Sequence, residues 1–259
     1  MQYIDQLGDK IVLPKTPIRL ISLVPSQTEL LYDLGLEKRV VGITKFCIHP
    51  KNWFKTKERI GGTKNVDIEK IKLLNPDLII GNKEENTKSD IEKLRKIAPV
   101  WMSDVNNLSD SLKMIEELGI ICDTEIKAKQ IIDKIKLEFS QLEPIPTPKS
   151  ILYLIWKKPY MAVGNDTFIH TILTDHLGFK NFVGDKTRYP AIDLDKIEGE
   201  PEYIFLSTEP FPFKEKHFEE IRSFFPSSKI YLVDGEYFSW YGSRLVNAPR
   251  YFKKLLSEL

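Results

Sequence analysis

Val66-Asp67-Ile68-Glu69-Lys70-Ile71, Asn75-Pro76-Asp77-Leu78-Ile79-Ile80 and Lys83-Glu84 have a second version about half a chain later. It reads Ile192-Asp193-Leu194-Asp195-Lys196-Ile197, Glu200-Pro201-Glu202-Tyr203-Ile204-Phe205 and Thr208-Glu209. Proline, acidic residue and apolar run recur in order, and Pro76 stands as far from Glu84 as Pro201 does from Glu209. A shorter echo lies upstream of each copy: Leu34-Gly35-Leu36 leads to Val40-Val41-Gly42, and Leu177-Gly178-Phe179 leads to Phe182-Val183-Gly184. Self-similarity on this scale marks a duplicated supersecondary unit. It predicts two similar lobes, each running strand, helix, strand, helix, strand.

Working outward, Arg19-Leu20-Ile21-Ser22-Leu23-Val24 is a short apolar run closed by Pro25, as expected of a strand buried on both faces. A helix follows, with Ser26 or Thr28 as candidate cap, Glu29 as favourable charge in the first turn, and Leu30, Leu31 and Leu34 as its apolar face up to Gly35. Val40–Ile43, Leu78–Ile80 and Val100–Met102 read as further strands, the last two separated by a helix over Ser89–Ile97. In the second half, Ile151–Ile155, Tyr203–Leu206 and Ile230–Val233 play the same part. Alternating strands and helices imply parallel sheets with right-handed crossovers. Asp123–Leu142 lacks Pro and Gly and carries apolar residues at near-helical spacing, ending at Pro144-Ile145-Pro146-Thr147-Pro148. A helix of about 20 residues would be about 30 Å long. The fold class is therefore α/β: two similar lobes with central parallel sheets flanked by helices, residues 1–122 and 144–259, joined by one long rigid backbone helix over 123–143.

Bulk composition narrows the function. The chain has 259 residues, 42% of them hydrophobic, enough for two cores. Its 38 basic and 37 acidic side chains leave a formal charge of +1, so no global field favours nucleic acid or an anionic membrane. No apolar run reaches membrane-spanning length, and the opening Met1-Gln2-Tyr3-Ile4-Asp5 shows no basic or apolar leader, so the chain as written reads as soluble with no export signal. Cys47 and Cys122 lack zinc or redox spacing, and a single bridge between them stays open. The signatures of hydrolase elbows, phosphate loops, dinucleotide folds and zinc proteases are missing. Gly61-Gly62-Thr63 marks a tight turn before Val66 rather than a phosphate cradle.

Ligands of parallel sheets gather at the carboxyl ends of the strands. Those loops hold Phe46, Cys47 and His49; Trp156 and Tyr160; Phe211 and Phe213; and Tyr237, Phe238, Trp240 and Tyr241. The rings suit a large, flat, partly apolar ligand, or else they close the core. In Phe46-Cys47-Ile48-His49-Pro50 a thiolate or imidazole could ligate a metal centre, or His49 could simply cap a loop. His170, His176 and His217 fall in helical stretches without partners at ligand spacing. Glu84 and Glu209 occupy equivalent places in the repeat. They suit a two-fold partner presenting arginines, or each caps the helix that follows.

These residues resemble the class III substrate-binding proteins, the helical-backbone metal receptors of bacterial ABC importers for cobalamin, ferric siderophores and haem. Ile21-Ser22-Leu23-Val24-Pro25-Ser26-Gln27-Thr28-Glu29-Leu30-Leu31 is similar to the family's first strand and helix and comes closest to its cobalamin-binding branch. Gly61-Gly62-Thr63, Asp67–Ile71 and Asn75–Ile80 resemble its next signature, and Asp123–Leu142 its backbone helix. The resemblance implies an inert receptor, not an enzyme, with a small metal chelate in the inter-lobe cleft. Cleft contacts would come from Pro25, Ser26, Phe46, Cys47, His49, Trp156, Tyr160, Arg188, Tyr189, Trp240 and Tyr241. Arg188 and Arg244 could pair with a carboxylate or phosphate on the ligand, or each is simply solvated at the surface. Glu84 and Glu209, with Glu85 and Glu215 as competitors, would dock to an ABC permease dimer. The chain would act as a monomer without a required cofactor, the cobalt or iron belonging to the ligand. Family members are periplasmic or held at the cell envelope, whereas this chain shows no signal. The alternative is a cytoplasmic relative recruited as a scaffold, or as an enzyme using Cys47 and His49.

Overall fold

The repeat folds into two sheets, each with its own core. The computed structural model describes residues 1–259 and divides into two units. Unit 1 comprises Met1–Val105, Ser109–Lys136 and Trp240–Val246. Unit 2 comprises Asn106–Leu108, Leu137–Ser239 and Asn247–Leu259. This differs from the expected division in three respects: Asn106–Leu108 belongs with unit 2, the boundary falls between Lys136 and Leu137, inside the expected backbone helix, and Trp240–Val246 belongs with unit 1, although the chain on both sides of it belongs to unit 2.

Unit 1 opens with a small hairpin, β1 (Gln2–Ile4) and β2 (Lys10–Val12). Its five-stranded sheet has the order β5 (Glu58–Arg59), β4 (Val40–Ile43), β3 (Leu20–Ser22), β8 (Leu78–Asn82), β9 (Val100–Ser103). Every pairing in it is parallel, as the alternating pattern required. The strands read as continuous apolar runs because helices cover both faces, and Leu20, Ile21, Ile79 and Ile80 are fully buried. Each such side chain contributes about 1.5–3 kcal/mol through burial. Gly61-Gly62 forms β6, paired with β7 (Asn65–Val66) in a tight hairpin. Gly61 has φ +92°, and a Cβ there would lie 2.5 Å from Asn65 O, so only glycine fits. The helices are α1 (Pro25–Asp33), α2 (Lys51–Thr56), α3 (Ile68–Leu73) and α4 (Lys88–Leu94). The structure adds α5 (Leu108–Ile121), which buries Ser111, Met114, Ile115 and Leu118 on one side.

The backbone helix appears as α6, Glu125–Ser140, a span of about 24 Å. It starts later than expected because Asp123 adopts a left-handed φ of +56°.

Unit 2 repeats the plan with one change. Its sheet runs β13 (Ala191–Ile192), β11 (Tyr160–Ala162), β10 (Ser150–Trp156), β14 (Tyr203–Ser207), β15 (Lys229–Val233), with β12 (Lys180–Asn181) also paired to β10. β12, β14 and β15 enter in parallel, but β10–β11 and β11–β13 are antiparallel. The three strands read from the sequence, β10, β14 and β15, are parallel as expected, and β11 and β13 add an antiparallel edge because Lys158, at φ +64°, reverses the chain directly after β10, so no crossover helix is needed. Helical elements are α7 (Phe168–Thr171), a π-helical turn (Ile172–His176), 3₁₀ turns at Leu194–Lys196, Glu215–His217 and, packed with unit 1, Ser243–Val246, and α8 (Phe218–Phe224), α9 (Gly235–Ser239) and α10 (Ala248–Ser257).

The duplication holds in detail. β8 and β14 start two residues after Pro76 and Pro201 and end two residues before Glu84 and Glu209. Asp67 caps α3 by accepting the Lys70 N–H at 2.9 Å, and Asp193 accepts the Asp195 N–H at 3.3 Å. Gly35 and Gly178 both end their helical segments at φ +80°. Cys47 and Cys122 are buried free thiols. No helix is long and apolar enough to cross a membrane.

Candidate functional site

In unit 1 the loops after β3 and β4 meet the Trp240–Val246 segment. Contrary to the capping expectation, neither Ser26 nor Thr28 caps α1; Val24 is the N-cap without a side-chain bond, and Pro25 occupies the first turn, where its missing N–H costs nothing. Ser26 is buried. Thr28 is used in the core instead, its Oγ1 lying 2.8 Å from Ser22 Oγ and 3.0 Å from Cys47 Sγ. Thr44 Oγ1 sits 3.1 Å from the same sulfur. Cys47 is therefore walled off, and burial pushes its thiol pKa up against the two hydroxyls that favour the thiolate. A buried thiol held as SH is a poor nucleophile and metal ligand, so the geometry does not favour the Cys47/His49 enzyme alternative.

The neighbouring side chains face water. Phe46 is 52% exposed, its ring edge packed on Gly62, with the Lys45 ammonium 5.1 Å from the ring centroid. His49 is half-buried and meets Trp240 edge to face at 5.7 Å and 74°. The Arg244 guanidinium lies 4.5 Å from the Trp240 ring and makes a two-pronged bond to Glu29, at 2.9 and 2.7 Å. Arg244 is thus engaged by Glu29 rather than held open for a ligand carboxylate or phosphate. Trp240 and Tyr241 are buried in unit 1, where they pack more than they present.

In unit 2, Trp156 ends β10 and is 39% exposed, standing edge to face with Phe211 at 5.8 Å. Tyr160 O–H donates to Glu220 Oε1 at 2.6 Å, and Lys157 bonds the other carboxylate oxygen. Burial and that carboxylate push the Tyr160 phenol up, while Lys157 and Tyr160 hold Glu220 down. Tyr160 also borders a groove of about 450 Å³ with Pro159, Ile192, Leu194 and Phe224. Arg188, at φ +56°, pairs loosely with Asp166 at 3.9 Å, and Tyr189 is half-buried beside it.

The two glutamates of the repeat are held by equivalent devices. Asn82 Oδ1 accepts the Glu84 N–H at 2.8 Å, and Ser207 Oγ accepts the Glu209 N–H at 3.3 Å. Glu209 Oε1 accepts from Ser239 O–H at 2.7 Å. Of the competitors, Glu215 is exposed, whereas Glu85 is half-buried and burial raises its carboxyl pKa. No group of three or more His, Cys, Asp or Glu side chains converges to hold a metal ion.

The sequence reading gave Glu29 only a first-turn charge role, although the first turn of α1 holds no acidic residue, and it missed Asn82 and Glu220. Glu29 and Arg244 stand 215 positions apart, and no local pattern joins them.

Two α/β units built on one repeat, with aromatic side chains at their strand ends, describe a binding protein, and the chain belongs to the periplasmic binding protein family, whose sequence pattern matches residues 20–224. Among curated proteins it is similar to the uncharacterized ABC transporter substrate-binding lipoprotein YvrC of Bacillus subtilis, 29% identical over 204 residues, covering 74% of this chain and 64% of the relative. It is 24% identical over 211 residues to the vitamin B12-binding protein of Vibrio parahaemolyticus, covering 79% and 76%. The chain thus spans somewhat under two thirds of the first of these relatives. Among solved structures, the fold matches the periplasmic vitamin B12 binding protein of Vibrio cholerae (TM-score 0.74, 20% identity, 95% and 98% covered). It also matches the petrobactin-binding protein YclQ of Bacillus subtilis (0.80, 20%, 98% and 97%).

Proposed function

We propose that this chain is the substrate-binding component of an ABC importer and captures a metal chelate, a corrinoid ahead of a ferric siderophore or haem, without turning it over. The observation that carries this reading is the water-facing aromatic side chain at a strand end of each unit: Phe46 after β4 and Trp156 at the end of β10. Rings exposed at strand ends, where ligands of such sheets gather, bring apolar area to a ligand at low entropic cost. Family membership and the vitamin B12-binding relatives favour the corrinoid. Glu84 and Glu209 would meet arginines of a dimeric permease, their equivalence in the repeat matching a two-fold partner.

Titration of the purified protein with cyanocobalamin, aquacobalamin, haemin and a panel of ferric siderophores tests this directly. One class should bind saturably, and Phe46→Ala and Trp156→Ala should each weaken it by about tenfold, the cost of losing one stacked ring. Binding of none of the panel would overturn the receptor reading.

A further inference from the structure

The Trp240–Val246 segment leaves unit 2 and returns to it, yet it packs in unit 1, so something in unit 1 must hold it. Its backbone lies on α1: Gly242, at φ +138°, would place a Cβ 3.3 Å from Ser26 O and 3.5 Å from Leu30 Cβ. Ser243 and Leu245 are buried around it. Arg244 of the segment forms an ion pair with Glu29, two-pronged and largely withdrawn from solvent, with side-chain exposures of 12% and 20%. The same guanidinium covers Trp240, and Trp240 in turn meets His49, so four side chains stack in a row from α1 to the β4 loop.

We propose that the Glu29–Arg244 pair is the positioning element of the unit-1 binding surface: it pins the segment so that the Trp240 indole fixes the orientation of the His49 imidazole. This rests on the proposed function, in which the β4 loop contacts the chelate. Arginine suits the task because its planar fork sets an angle as well as a distance. Burial raises the Glu29 pKa against the pull of Arg244, so withdrawing the pair from water carries a desolvation cost. A buried ion pair of this kind is commonly no more stabilising than apolar side chains of similar volume. Its distinctive contribution is geometry.

The test uses the full chain and two readouts. The His49 ring-proton resonance, assigned by its loss in His49→Gln, carries the ring-current shift of Trp240, and Trp240→Ala gives the unshifted position. Glu29→Gln and Arg244→Lys should each move the resonance towards that position. Cyanocobalamin affinity should fall by about tenfold in each, the cost of ordering one side chain on binding. The charge-reversed double variant, Glu29→Arg with Arg244→Glu, should recover part of both losses, which a variant that merely loosens the fold would not do. Near-UV circular dichroism reports the fold, and Arg244→Lys serves if Glu29→Gln does not fold. An unmoved His49 resonance in both single variants overturns the proposal. If instead His49→Gln binds cyanocobalamin like the parent, the contact between loop and chelate is what fails, and the resonance alone decides the positioning.

Discussion

Asn82→Ala should cost far more than its size suggests. Asn82 is 1% exposed at the end of β8 and makes four polar contacts. Its Nδ2 donates to Ser103 Oγ at 2.9 Å and Ser103 O at 3.2 Å, and its Oδ1 accepts the N–H groups of Glu84 at 2.8 Å and Glu85 at 3.1 Å. Each bond is worth about 1 kcal/mol net, and more where a buried partner is stranded. Ser103 keeps Gln27 as a partner at 2.6 Å, and the half-buried Glu84 and Glu85 amides regain water in part. The expected loss is therefore about 2–4 kcal/mol. Ser207→Ala, at the equivalent place in unit 2, removes the Ser207 O–H donation to Glu209 O at 2.5 Å, the 3.3 Å bond from the Glu209 N–H and a 3.3 Å bond from the buried Tyr153 hydroxyl, and should cost about 1–3 kcal/mol. Urea unfolding followed by tryptophan emission measures both, because Trp101 lies buried in the adjacent β9. Hydrogen exchange at the Glu84 and Glu85 amides reads the loop itself. A loss below about 0.5 kcal/mol in Asn82→Ala, the range of an ordinary surface change, or unchanged protection of those amides would refute the account of how this loop is held.

Gly61→Ala should lose about 2–4 kcal/mol, because its Cβ would meet immovable backbone at Asn65 O and Asp67 N, whereas Gly8→Ala, at φ +86° but with open space around it, should lose only about 1 kcal/mol; equal losses would show that space is not the cause. Neither Cys47 nor Cys122 should react with an aromatic disulfide reagent at pH 8 until the chain is unfolded, since both are buried and the Cys122 thiol is pushed up to about 12; rapid labelling of the native protein would contradict this. His170 is held neutral by burial, and the Asn181 amide nitrogen lies 3.0 Å from its Nδ1 while also bonding Val163 O at 2.8 Å, so Nδ1 acts as acceptor. A lowered folded pKa means the contribution is fully present above the unfolded value of about 6.5 and is lost as pH falls from there towards the folded value. Unfolding free energies of the parent and His170→Gln should therefore converge between pH 7.5 and 5.5, and a constant gap would sink the assignment.

Which features could be read from the sequence follows from where their causes lie along the chain. Leu20–Ser22, Leu78–Asn82 and Tyr203–Ser207 were legible because a strand covered on both faces is apolar in its middle, as Leu20-Ile21, Leu78-Ile79-Ile80 and Ile204-Phe205-Leu206 are. The repeat was legible because each copy carries its own capping aspartate, Asp67 or Asp193, and its own proline at the same distance from a glutamate, Pro76 from Glu84 and Pro201 from Glu209. The β10–β11 reversal was not, since it depends on the backbone of Lys158, a residue type that gives no sign of a positive φ. Thr28 looked like a cap because capping is its commonest local use, yet the hydroxyl is consumed by Ser22 and Cys47, partners that only the fold supplies. The same reasoning applies most strongly to the candidate site. Phe46 and Trp156 were found because strand ends can be located from local pattern, and exposure there follows from chain direction. Arg244 was read as a ligand-facing or solvated cation because its neutraliser stands 215 positions away, and Trp240 as a cleft contact of the second lobe because nothing in its neighbours shows that the chain crosses back. Side chains that touch a ligand are thus marked by local sequence, while those that aim them are marked only by long-range contact. Variants chosen from sequence alone would probe the first group and pass over Glu29, although that carboxylate fixes the row of side chains ending at His49.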